Sequence, residues 1–449
     1  MRYLAQAALT GERVEPDVLI EIDPDGTIAA VVPHAPANDA TRLPGLVVPG
    51  MANLHSHAFQ RGMAGLAERG GGDFWGWRAV MYRFLATLTP DDVEAIAAQL
   101  YVECLLHGYT AVGEFHYLHN TPAGRPYADP AEMAQRIVAA AATTGIGLAL
   151  LPVLYRHADF GGAAPEPGQA RFILTLDAYA ALCQGLAGSV RTGVAPHSLR
   201  AVTPDELAAA IALAGSLGPG TPIHIHVAEQ VKEVADCLAA TGRRPVDWLL
   251  DHAPVGPAWC LVHATHITAD ECRRLARSGA AAGLCQTTEA NLGDGSFPFL
   301  AYRTAGGRFG IGSDSNVSTS PVEELRWLDY IRRLENRSRR VSGPASGASI
   351  GTGLYTAALS GGFQALGGEA GRIAVGQPAD LVVLDTDHPA LVGRSGEALL
   401  DAWIFSGNAT PVRDVMVAGH WVVRDGRHHR QSRIADRFRS IIRRIASNM

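Results

Sequence analysis

Three histidines and one aspartate, each at the end of a short apolar run, carry the clearest chemical signal in this chain of 449 residues. His55 and His57 lie two residues apart, so on an extended strand both imidazoles point to the same side and can reach one metal ion. His226 and Asp314 each end a later apolar run. Imidazole and carboxylate ligands suit a borderline cation and leave room for a water. We therefore predict one divalent metal ion, with Zn2+ favoured, bound by His55, His57, His226 and Asp314.

Two further side chains are placed for acid–base chemistry at such a metal. Glu229 follows His226 by three residues, where a carboxylate can carry a proton between a nucleophilic water and a leaving nitrogen. The alternative for Glu229 is a structural role on the next helix, for example as the partner of Lys232. His263 ends the following apolar run and could hydrogen-bond the attacking oxygen or the tetrahedral intermediate. We predict Glu229, His263 and the ligand Asp314 as the catalytic residues.

The other histidines of the apolar segments have a simpler interpretation. His224 faces the same way as His226 but lies one layer deeper in its strand, so we expect a hydrogen-bonded interior residue rather than a ligand. We expect hydrogen-bonded core or loop positions for five more histidines, namely His116, His119, His157, His252 and His266.

The number of metal ions follows from residues that the chain lacks. Some barrel hydrolases hold two metals through a modified lysine at the end of the fourth strand, but here that run ends in Val194-Ala195-Pro196-His197. The only lysine, Lys232, lies beyond Glu229. A single metal is therefore favoured. The small zinc deaminases with a Pro-Cys-x-x-Cys motif are also excluded, because no two cysteines have that spacing.

Side chains so far apart in sequence meet when a fold gathers the ends of its strands, as a (β/α)8 barrel does at the carboxyl ends of its parallel strands. Eight apolar runs alternate with Ala-rich helical stretches, which predicts an α/β fold with a TIM-like (β/α)8 barrel. The predicted strands are the run that ends at His57 and those at Thr110–Glu114, Leu148–Leu154, Val190–Pro196, Ile223–Val227, Cys260–His263, Ala281–Gln286 and Phe309–Asp314.

The segments on either side of the barrel are rich in short β-like runs. Val18–Ile22 and Thr27–Val32 flank a hairpin signal, Asp23-Pro24-Asp25-Gly26. Near the other end, Gly371–Leu384 and Val412–Val423 have the same character. We predict that the two ends of the chain pair as one small discontinuous β-sandwich domain.

The predicted domain limits follow from this division. Residues 1–47 and 369–449 form the sandwich, with a terminal helix, and residues 48–368 form the metal-dependent barrel. In the tail from Arg433 to Met449, one helical face carries Ile434, Phe438, Ile441 and Ile445. We expect this helix to dock on the barrel or on a second subunit.

Composition excludes several classes of protein. A net charge of −6 and a pI near 6.3 provide no basic surface for nucleic acid, so we expect small-molecule partners rather than nucleic acid. Six scattered cysteines favour a reducing compartment, and the start of the chain shows no export signal, so we expect a cytoplasmic protein.

The uncharged stretch from Ile137 to Tyr155 is long enough to raise the question of a membrane span, but Gly145 and Pro152 divide it. This pattern predicts a helix end, a turn and a buried strand instead.

These motifs together resemble a known superfamily. His55-Ser56-His57, His226-Val227-Ala228-Glu229, His263 and Gly312-Ser313-Asp314-Ser315-Asn316 are similar to the mononuclear deaminase branch of the amidohydrolase superfamily. The run from Gly371 to Leu381 looks like the β-domain signature of the same superfamily, so the resemblance covers nearly the whole chain.

A narrower resemblance rests on Leu54–Leu66, Phe74–Arg78 and Glu114–His119. These segments are similar to the deiminase family that converts N-formimidoyl-L-glutamate and water to N-formyl-L-glutamate and ammonia in histidine breakdown. The resemblance implies five substrate contacts, which are Gln60, Arg78, Tyr117, His197 and Arg200.

Residue chemistry agrees with a dicarboxylate substrate. Guanidinium groups bind carboxylates in a two-pronged way, and Arg78 and Arg200 follow the first and fourth predicted strands on what we expect to be loops. Other possibilities stay open: a deaminase of another amidine, of a guanidine or of a heteroaromatic ring, and a scaffold without catalytic activity. A scaffold would normally have lost ligands. We also expect a homodimer.

Overall fold

The computed structural model describes residues 1–36, 39–68, 74–342, 348–368 and 371–447. The strands form two sheets, one of eight strands and one of nine. In chain order they are β1 (Arg2–Thr10), β2 (Arg13–Ile22), β3 (Ile28–Val32), β4 (Thr41–Pro49), β5 (Met51–Ser56), β6 (Tyr109–His116), β7 (Gly147–Leu154), β8 (Arg191–Thr192), β9 (Ala195–Pro196), β10 (Ile223–Val227), β11 (Trp259–His263), β12 (Ala281–Leu284), β13 (Arg308–Ile311), β14 (Leu381–Leu384), β15 (Val412–Val417), β16 (His420–Arg424) and β17 (Arg427–His428).

The helices lie mainly between the strands of the larger sheet. They are α1 (Phe74–Leu85), α2 (Pro90–His107), α3 (Glu132–Thr144), α4 (Leu176–Leu186), α5 (Pro204–Leu217), α6 (Val231–Thr241), α7 (Pro245–His252), α8 (Ala269–Ser278), α9 (Gln286–Leu292), α10 (Phe299–Thr304), α11 (Pro321–Asn336), α12 (Ile350–Ala365), α13 (Ala398–Phe405) and α14 (Gln431–Ala446). Several begin with a Thr side chain that caps the first turn, as Thr203 does for α5 by accepting from the Glu206 N–H.

The nine-stranded sheet is a parallel barrel. Its order is β10, β11, β12, β13, β5, β6, β7 and β8, with β9 beside β7. Bridges from Val194 to Ile223 and from Ser198 to His226 join the β8–β9 region to β10 and close the ring. Strands covered by helices on the outside are buried on both faces, which explains why their sequences are continuous apolar runs. This is the (β/α)8 arrangement that the alternation of runs predicts.

The fourth barrel strand is interrupted, whereas the sequence predicts one strand from Val190 to Pro196. The Gly193 N–H donates to the Leu150 carbonyl at 2.9 Å, on one neighbouring strand. The next residue, Val194, donates instead to the Pro222 carbonyl at 2.9 Å, on the opposite side. This change of partner divides the strand into β8 and β9.

Three other predicted strands end earlier than the sequence suggests. β12 ends at Leu284, because Gln286 already begins α9. β13 ends at Ile311, so Asp314 lies on the turn that follows the strand. β5 ends one residue before His57. His57 and Asp314 therefore lie in the turns just past their strands, whereas His55, His226 and His263 are among the last residues of theirs. Both positions are at the mouth of the barrel.

The eight-stranded sheet joins the two ends of the chain. Its order is β17, β16, β15, β14, β4, β1, β2 and β3. β4 connects the two parts, since it pairs in parallel with β1 and antiparallel with β14. Ile20, Leu43, Leu381 and Met416, from both ends of the chain, pack in one apolar core. The predicted hairpin turn at residues 23–26 joins β2 and β3.

The domain limits themselves stay a prediction. The limit at residue 369 and the last two residues of the chain lie outside the described residues.

The terminal helix α14 lies against α2 of its own barrel. Ile434 and Ile445 are buried beneath it. The Arg437 guanidinium pairs with the Glu94 carboxylate at 2.6 Å. Apolar burial and ion pairing together fix the helix on the barrel, one of the two positions that its amphipathic pattern predicts.

The uncharged stretch from Ile137 to Tyr155 folds as the sequence predicts. α3 ends before Gly145, which adopts a left-handed φ of +77°, and the buried strand β7 follows. Among the described residues, no helix combines the length and apolar character needed to cross a membrane.

A helix and a barrel strand touch at Gly361 of α12. A Cβ added there would lie 1.9 Å from the Phe309 carbonyl oxygen of β13, and neither backbone can move without disturbing the barrel. We expect Gly361→Ala to lower the free energy of unfolding by about 3 kcal/mol or more. Gly185→Ala in α4 is the matched control, because its Cβ would meet open space, and it should stabilise the helix by up to about 1 kcal/mol. Equal melting temperatures for the two variants would contradict this contact.

Candidate active site

The four predicted metal ligands meet at the mouth of the barrel. Donor atoms of His55, His57, His226 and Asp314 all lie within 4.8 Å of one another, and all four side chains are buried. The His57 Nε2 atom is 3.2 Å from His55 Nε2 and 3.2 Å from Asp314 Oδ1. Three imidazoles and one carboxylate at this spacing can surround a single divalent cation.

Hydrogen bonds on the outer side of two rings leave their inner nitrogens available to a metal. His57 Nδ1 donates to the Phe115 carbonyl at 2.9 Å, and His226 Nδ1 donates to the His197 carbonyl at 3.2 Å. In each ring Nε2 therefore keeps its lone pair. Burial lowers the pKa of His55 to about 3 and the pKa of His226 well below its usual value. Neutral imidazoles that converge on a carboxylate fit a divalent metal ion.

The backbone at the ends of β5 and β13 fixes Asp314 beside the histidines. The Asp314 N–H donates to the His55 carbonyl, and the His57 N–H donates to the Asp314 carbonyl, both at 3.0 Å. Asp314 has a φ of +44°, in the left-handed region that aspartate tolerates better than most residues. The Asn316 side chain donates to the His57 carbonyl at 2.9 Å. This network directs the Asp314 carboxylate across the barrel mouth.

Glu229 and His263 lie next to this cluster. His263 Nε2 is 3.9 Å from Glu229 Oε1 and 3.7 Å from Asp314 Oδ2, while its Nδ1 is 3.2 Å from Glu289 Oε1. Burial alone would lower the pKa of His263, but the three neighbouring carboxylates outweigh it and raise the pKa to about 10. Burial also raises the pKa of Glu229. Both side chains are therefore suited to hold a proton close to the metal donors.

A residue that the sequence analysis missed fixes the position of Glu229. Glu233 is buried on α6, and its two carboxylate oxygens accept the N–H groups of Ala228 and Glu229, each at 3.1 Å. Ala228 adopts a φ of +53°, so the turn after β10 is sharp. Lys232 pairs with Asp236 rather than with Glu229. Glu229 is therefore not the partner of Lys232, which was the structural alternative for this residue.

One cavity brings the predicted substrate contacts to the metal donors. It is lined by His57, His226 and Asp314, by Glu229 and His263, and by all five residues that the family resemblance implies, Gln60, Arg78, Tyr117, His197 and Arg200. Aromatic side chains cover much of the remaining wall, including Trp77, Tyr155 and Phe172. A cavity with a few convergent polar groups in an apolar wall is typical of a small-molecule site.

The two arginines present unsatisfied donors to this cavity. Arg200 is on a turn after β9, as predicted, but Arg78 is on α1 and not on a loop, because the connection after β5 folds into a helix. The Arg78 guanidinium lies 5.3 Å from the Trp75 ring centroid and 5.1 Å from that of Tyr82, and 3.6 Å from the Glu166 carboxylate. Within the described part of the chain, Arg78 Nη2 and Arg200 Nε are buried without a hydrogen-bond partner. An anionic ligand would satisfy them.

The other three predicted contacts lie closer to the metal donors. Gln60 Nε2 donates to the Tyr117 hydroxyl at 2.9 Å, and Gln60 Oε1 is buried with no partner among the residues described. The Tyr117 ring meets the His57 ring edge-on at 5.0 Å, and the His197 ring stacks on His226 at 4.9 Å. These side chains therefore connect the metal donors with the rest of the cavity wall.

Five of the remaining histidines have the hydrogen bond that the sequence predicts for them. His224 is buried, and its Nε2 lies 2.7 Å from the Ala365 carbonyl. Four more bond to a carbonyl or a carboxylate: His119 to Val153, His157 to Glu206, His252 to Trp248 and His266 to Asp294. His116 differs: it is buried beside His119, with ring centroids 5.8 Å apart, and its Nε2 has no hydrogen-bond partner among the described residues.

Comparison with known proteins agrees with this geometry. The profile of the amidohydrolase family matches residues 46–422. The chain is 53% identical over 446 residues to the formimidoylglutamate deiminase of Pseudomonas aeruginosa, covering 98% of each protein. The crystal structure of an amidohydrolase from Brucella melitensis superposes with a TM-score of 0.94 at 48% identity and 99% coverage of both chains.

A more distant structure shows the same fold. An adenosine deaminase from Xanthomonas campestris with bound zinc has a TM-score of 0.83 at 22% identity, over 99% of this chain and 98% of that one. With the two observed sheets, these matches confirm the predicted fold class and the family resemblance that the motifs indicate.

Proposed function

The chain belongs to the amidohydrolase family, and we propose that it hydrolyses N-formimidoyl-L-glutamate to N-formyl-L-glutamate and ammonia, a reaction of histidine degradation. The observation that carries this proposal is that Arg78 and Arg200 share one cavity with the metal donors and Glu229. Two guanidinium groups in the same cavity as a hydrolytic centre suit a substrate with two carboxylates. The name of the relative that is 53% identical supports the same substrate.

The charges of the site match the two ends of this substrate. An amidine is a strong base and carries a positive charge near neutral pH, whereas the glutamate part carries two negative charges. Glu229, Glu289 and Asp314 surround His263 beside the metal donors, and the arginines lie in the cavity wall. The amidine end is therefore attracted towards the acid–base residues, while the carboxylates are held by the arginines.

The side chains have distinct roles in the reaction. A divalent ion held by His55, His57, His226 and Asp314 would supply Lewis acidity and lower the pKa of a water. As water adds to the formimidoyl carbon, Glu229 accepts one of its protons and returns it to the nitrogen that leaves. The bond from carbon to that nitrogen then breaks, the hydroxyl proton of the adduct is released to solvent as the formyl carbonyl forms, and ammonia departs. His263 donates a hydrogen bond to the developing oxyanion.

We expect the arginine variants Arg78→Met and Arg200→Met to lower kcat/KM for N-formimidoyl-L-glutamate about 10- to 100-fold each, because each removes a charged hydrogen bond to a carboxylate. Methionine keeps an unbranched chain and removes the charge. Ammonia release measured against N-formimidoylglycine, which has one carboxylate, separates their roles. One variant should lose activity on both substrates, and the other only on N-formimidoyl-L-glutamate.

Arg83→Met is the matched control, because Arg83 lies on the same helix α1 but is exposed to solvent. It should retain normal kinetics on both substrates. If guanine, adenosine or cytosine released ammonia faster than N-formimidoyl-L-glutamate, the protein would be a deaminase of heteroaromatic rings. If no substrate were turned over by metal-loaded protein, the scaffold alternative would stand.

We propose that the metal is Zn2+, which the mixed imidazole and carboxylate donor set suits, and metal analysis of protein isolated without added metal tests this. We propose a cytoplasmic location, which the six free and buried cysteines support. We also propose a homodimer that binds neither nucleic acid nor membranes, and light scattering in solution tests the dimer.

A further inference from the structure

We propose that a second, thiophilic divalent cation binds beside the first metal site, held by His263, Cys285 and Asp314, and that its binding inhibits the enzyme. One ring nitrogen of His263, the Cys285 sulfur and one carboxylate oxygen of Asp314 all lie within 4.8 Å of one another, and the three side chains are buried. Cys285 lies just past β12 and is not among the residues that line the cavity. Nothing in the proposed reaction uses its thiol.

The two oxygens of Asp314 are divided between the two sets of donors. Oδ1 is 3.5 Å from His55 Nε2 and 3.2 Å from His57 Nε2, whereas Oδ2 is 3.7 Å from His263 Nε2. A carboxylate with one oxygen on each side can bridge two cations. Hydrolytic sites with two metals place their ions about 3.5–4 Å apart in this way.

A single carboxylate orients the other two donors. Glu289 Oε1 faces His263 Nδ1 at 3.2 Å and accepts the Cys285 backbone N–H at 3.1 Å. A histidine that ligates a metal almost always donates its second ring nitrogen to a carboxylate or carbonyl, which fixes the ring and strengthens its inner nitrogen as a ligand. His263 has this arrangement even though it does not belong to the first donor set. Glu289 thus prepares His263 and Cys285 together.

The donor chemistry selects the cation. The missing lysine at the end of the fourth strand argues against the usual kind of two-metal site, but a thiolate is a different and softer ligand. Sulfur and imidazole favour Zn2+ and Cd2+ over Mg2+ and Ca2+. Glu229 Oε1 lies 3.9 Å from His263 Nε2, near enough to serve as a fourth ligand after a small movement.

Occupation of the second site removes the acid–base residues from catalysis. His263 Nε2 would be bound to the cation and could no longer donate to the developing oxyanion. Glu229 would be attracted to the same cation and lose its freedom to return a proton. The expected behaviour is activity with one metal ion and inhibition when a thiophilic cation is in excess. This inference depends on the donors and not on the identity of the substrate.

The experiment uses full-length protein loaded with one equivalent of Zn2+ and titrated with Cd2+. We expect the wild-type protein to bind one equivalent of Cd2+ while retaining its Zn2+, and to develop the ultraviolet thiolate-to-cadmium charge-transfer band. Turnover at saturating Cd2+ should fall about 100-fold or more, as expected when acid–base groups are lost. Cys285→Ser and Cys285→Ala should lack the band and bind the Cd2+ equivalent more weakly. Circular dichroism confirms that both are folded.

Cys272→Ser is the matched control, because Cys272 is equally buried but lies on α8, away from the donors. It should show the band, the stoichiometry and the inhibition of the wild-type protein. The inference is overturned if the wild-type protein shows no band, if the band persists in both Cys285 variants, or if uptake of Cd2+ releases an equal amount of Zn2+. The charge-transfer band and the stoichiometry of Cd2+ binding are measured without substrate. Absence of turnover of N-formimidoyl-L-glutamate would therefore refute only the proposed function.

Discussion

Glu229→Gln should leave the protein folded and loaded with metal while turnover falls about 10²- to 10⁴-fold, the range expected for loss of a general acid–base group. Glutamine has nearly the shape of glutamate but can neither accept nor return a proton. The backbone of residue 229 stays fixed, because its N–H is bonded to Glu233 and not to its own side chain. KM should therefore change little, and the loss should appear in kcat. Ammonia release at saturating substrate and metal analysis of the same preparation measure both effects.

The matched control is Glu12→Gln, which makes the same change at an exposed glutamate in the turn between β1 and β2. It should retain full turnover. Near-normal turnover of Glu229→Gln would end the proton-transfer role. Loss of metal together with activity would instead make Glu229 a ligand, and the single-metal donor set would need revision.

Most residues of this site could be predicted from the sequence because of a property of parallel barrels. His57 and Asp314 are far apart in the chain, yet both follow buried strands, and the carboxyl ends of all barrel strands meet at one mouth. An apolar run followed by a metal-binding side chain is therefore informative about position in space. The same logic predicts Glu229, which follows β10, and His263, which is the last residue of β11.

The residues that support the site could not be found in this way. Glu233 and Glu289 lie on helices, where a glutamate is usually exposed, and only the folded chain shows that both are buried. Cys285 belongs to an apolar run, so its proximity to His263 and Asp314 depends on the packing of neighbouring strands. No local pattern marks these contacts, because each joins segments whose relative position is a property of the whole barrel.

The first connection of the barrel differs from the expectation that Arg78 lies on a loop after its strand. Phe74–Arg78 contains Gly76, a residue that weakens a helix by about 1 kcal/mol relative to alanine. The structure has a helix instead, α1, in which Arg78 packs over Trp75 and Tyr82. Tertiary packing outweighs a single unfavourable residue here. The guanidinium is thus carried by a helix.

Asp314→Asn should have the largest effect on metal binding, because Asp314 is the one carboxylate among the four proposed ligands. Replacing an outer partner of a ligand costs about 10- to 100-fold in metal affinity, so loss of the charged ligand itself should cost at least about 100-fold. Turnover should fall with metal content and recover only in part when metal is added in excess. Dialysis against a chelator, followed by metal analysis and ammonia release, measures both quantities.

The choice of asparagine separates this effect from backbone strain. Asp314 has a φ of +44°, where alanine would be strained, whereas asparagine tolerates the left-handed region as aspartate does. Asp425→Asn is the matched control, since Asp425 has a φ of +49° but is exposed in the turn between β16 and β17. Both variants should therefore keep a melting temperature close to that of the wild-type apoprotein. If Asp314→Asn kept one tightly bound metal per chain, the carboxylate would not be a ligand, and the three histidines would have to hold the ion alone.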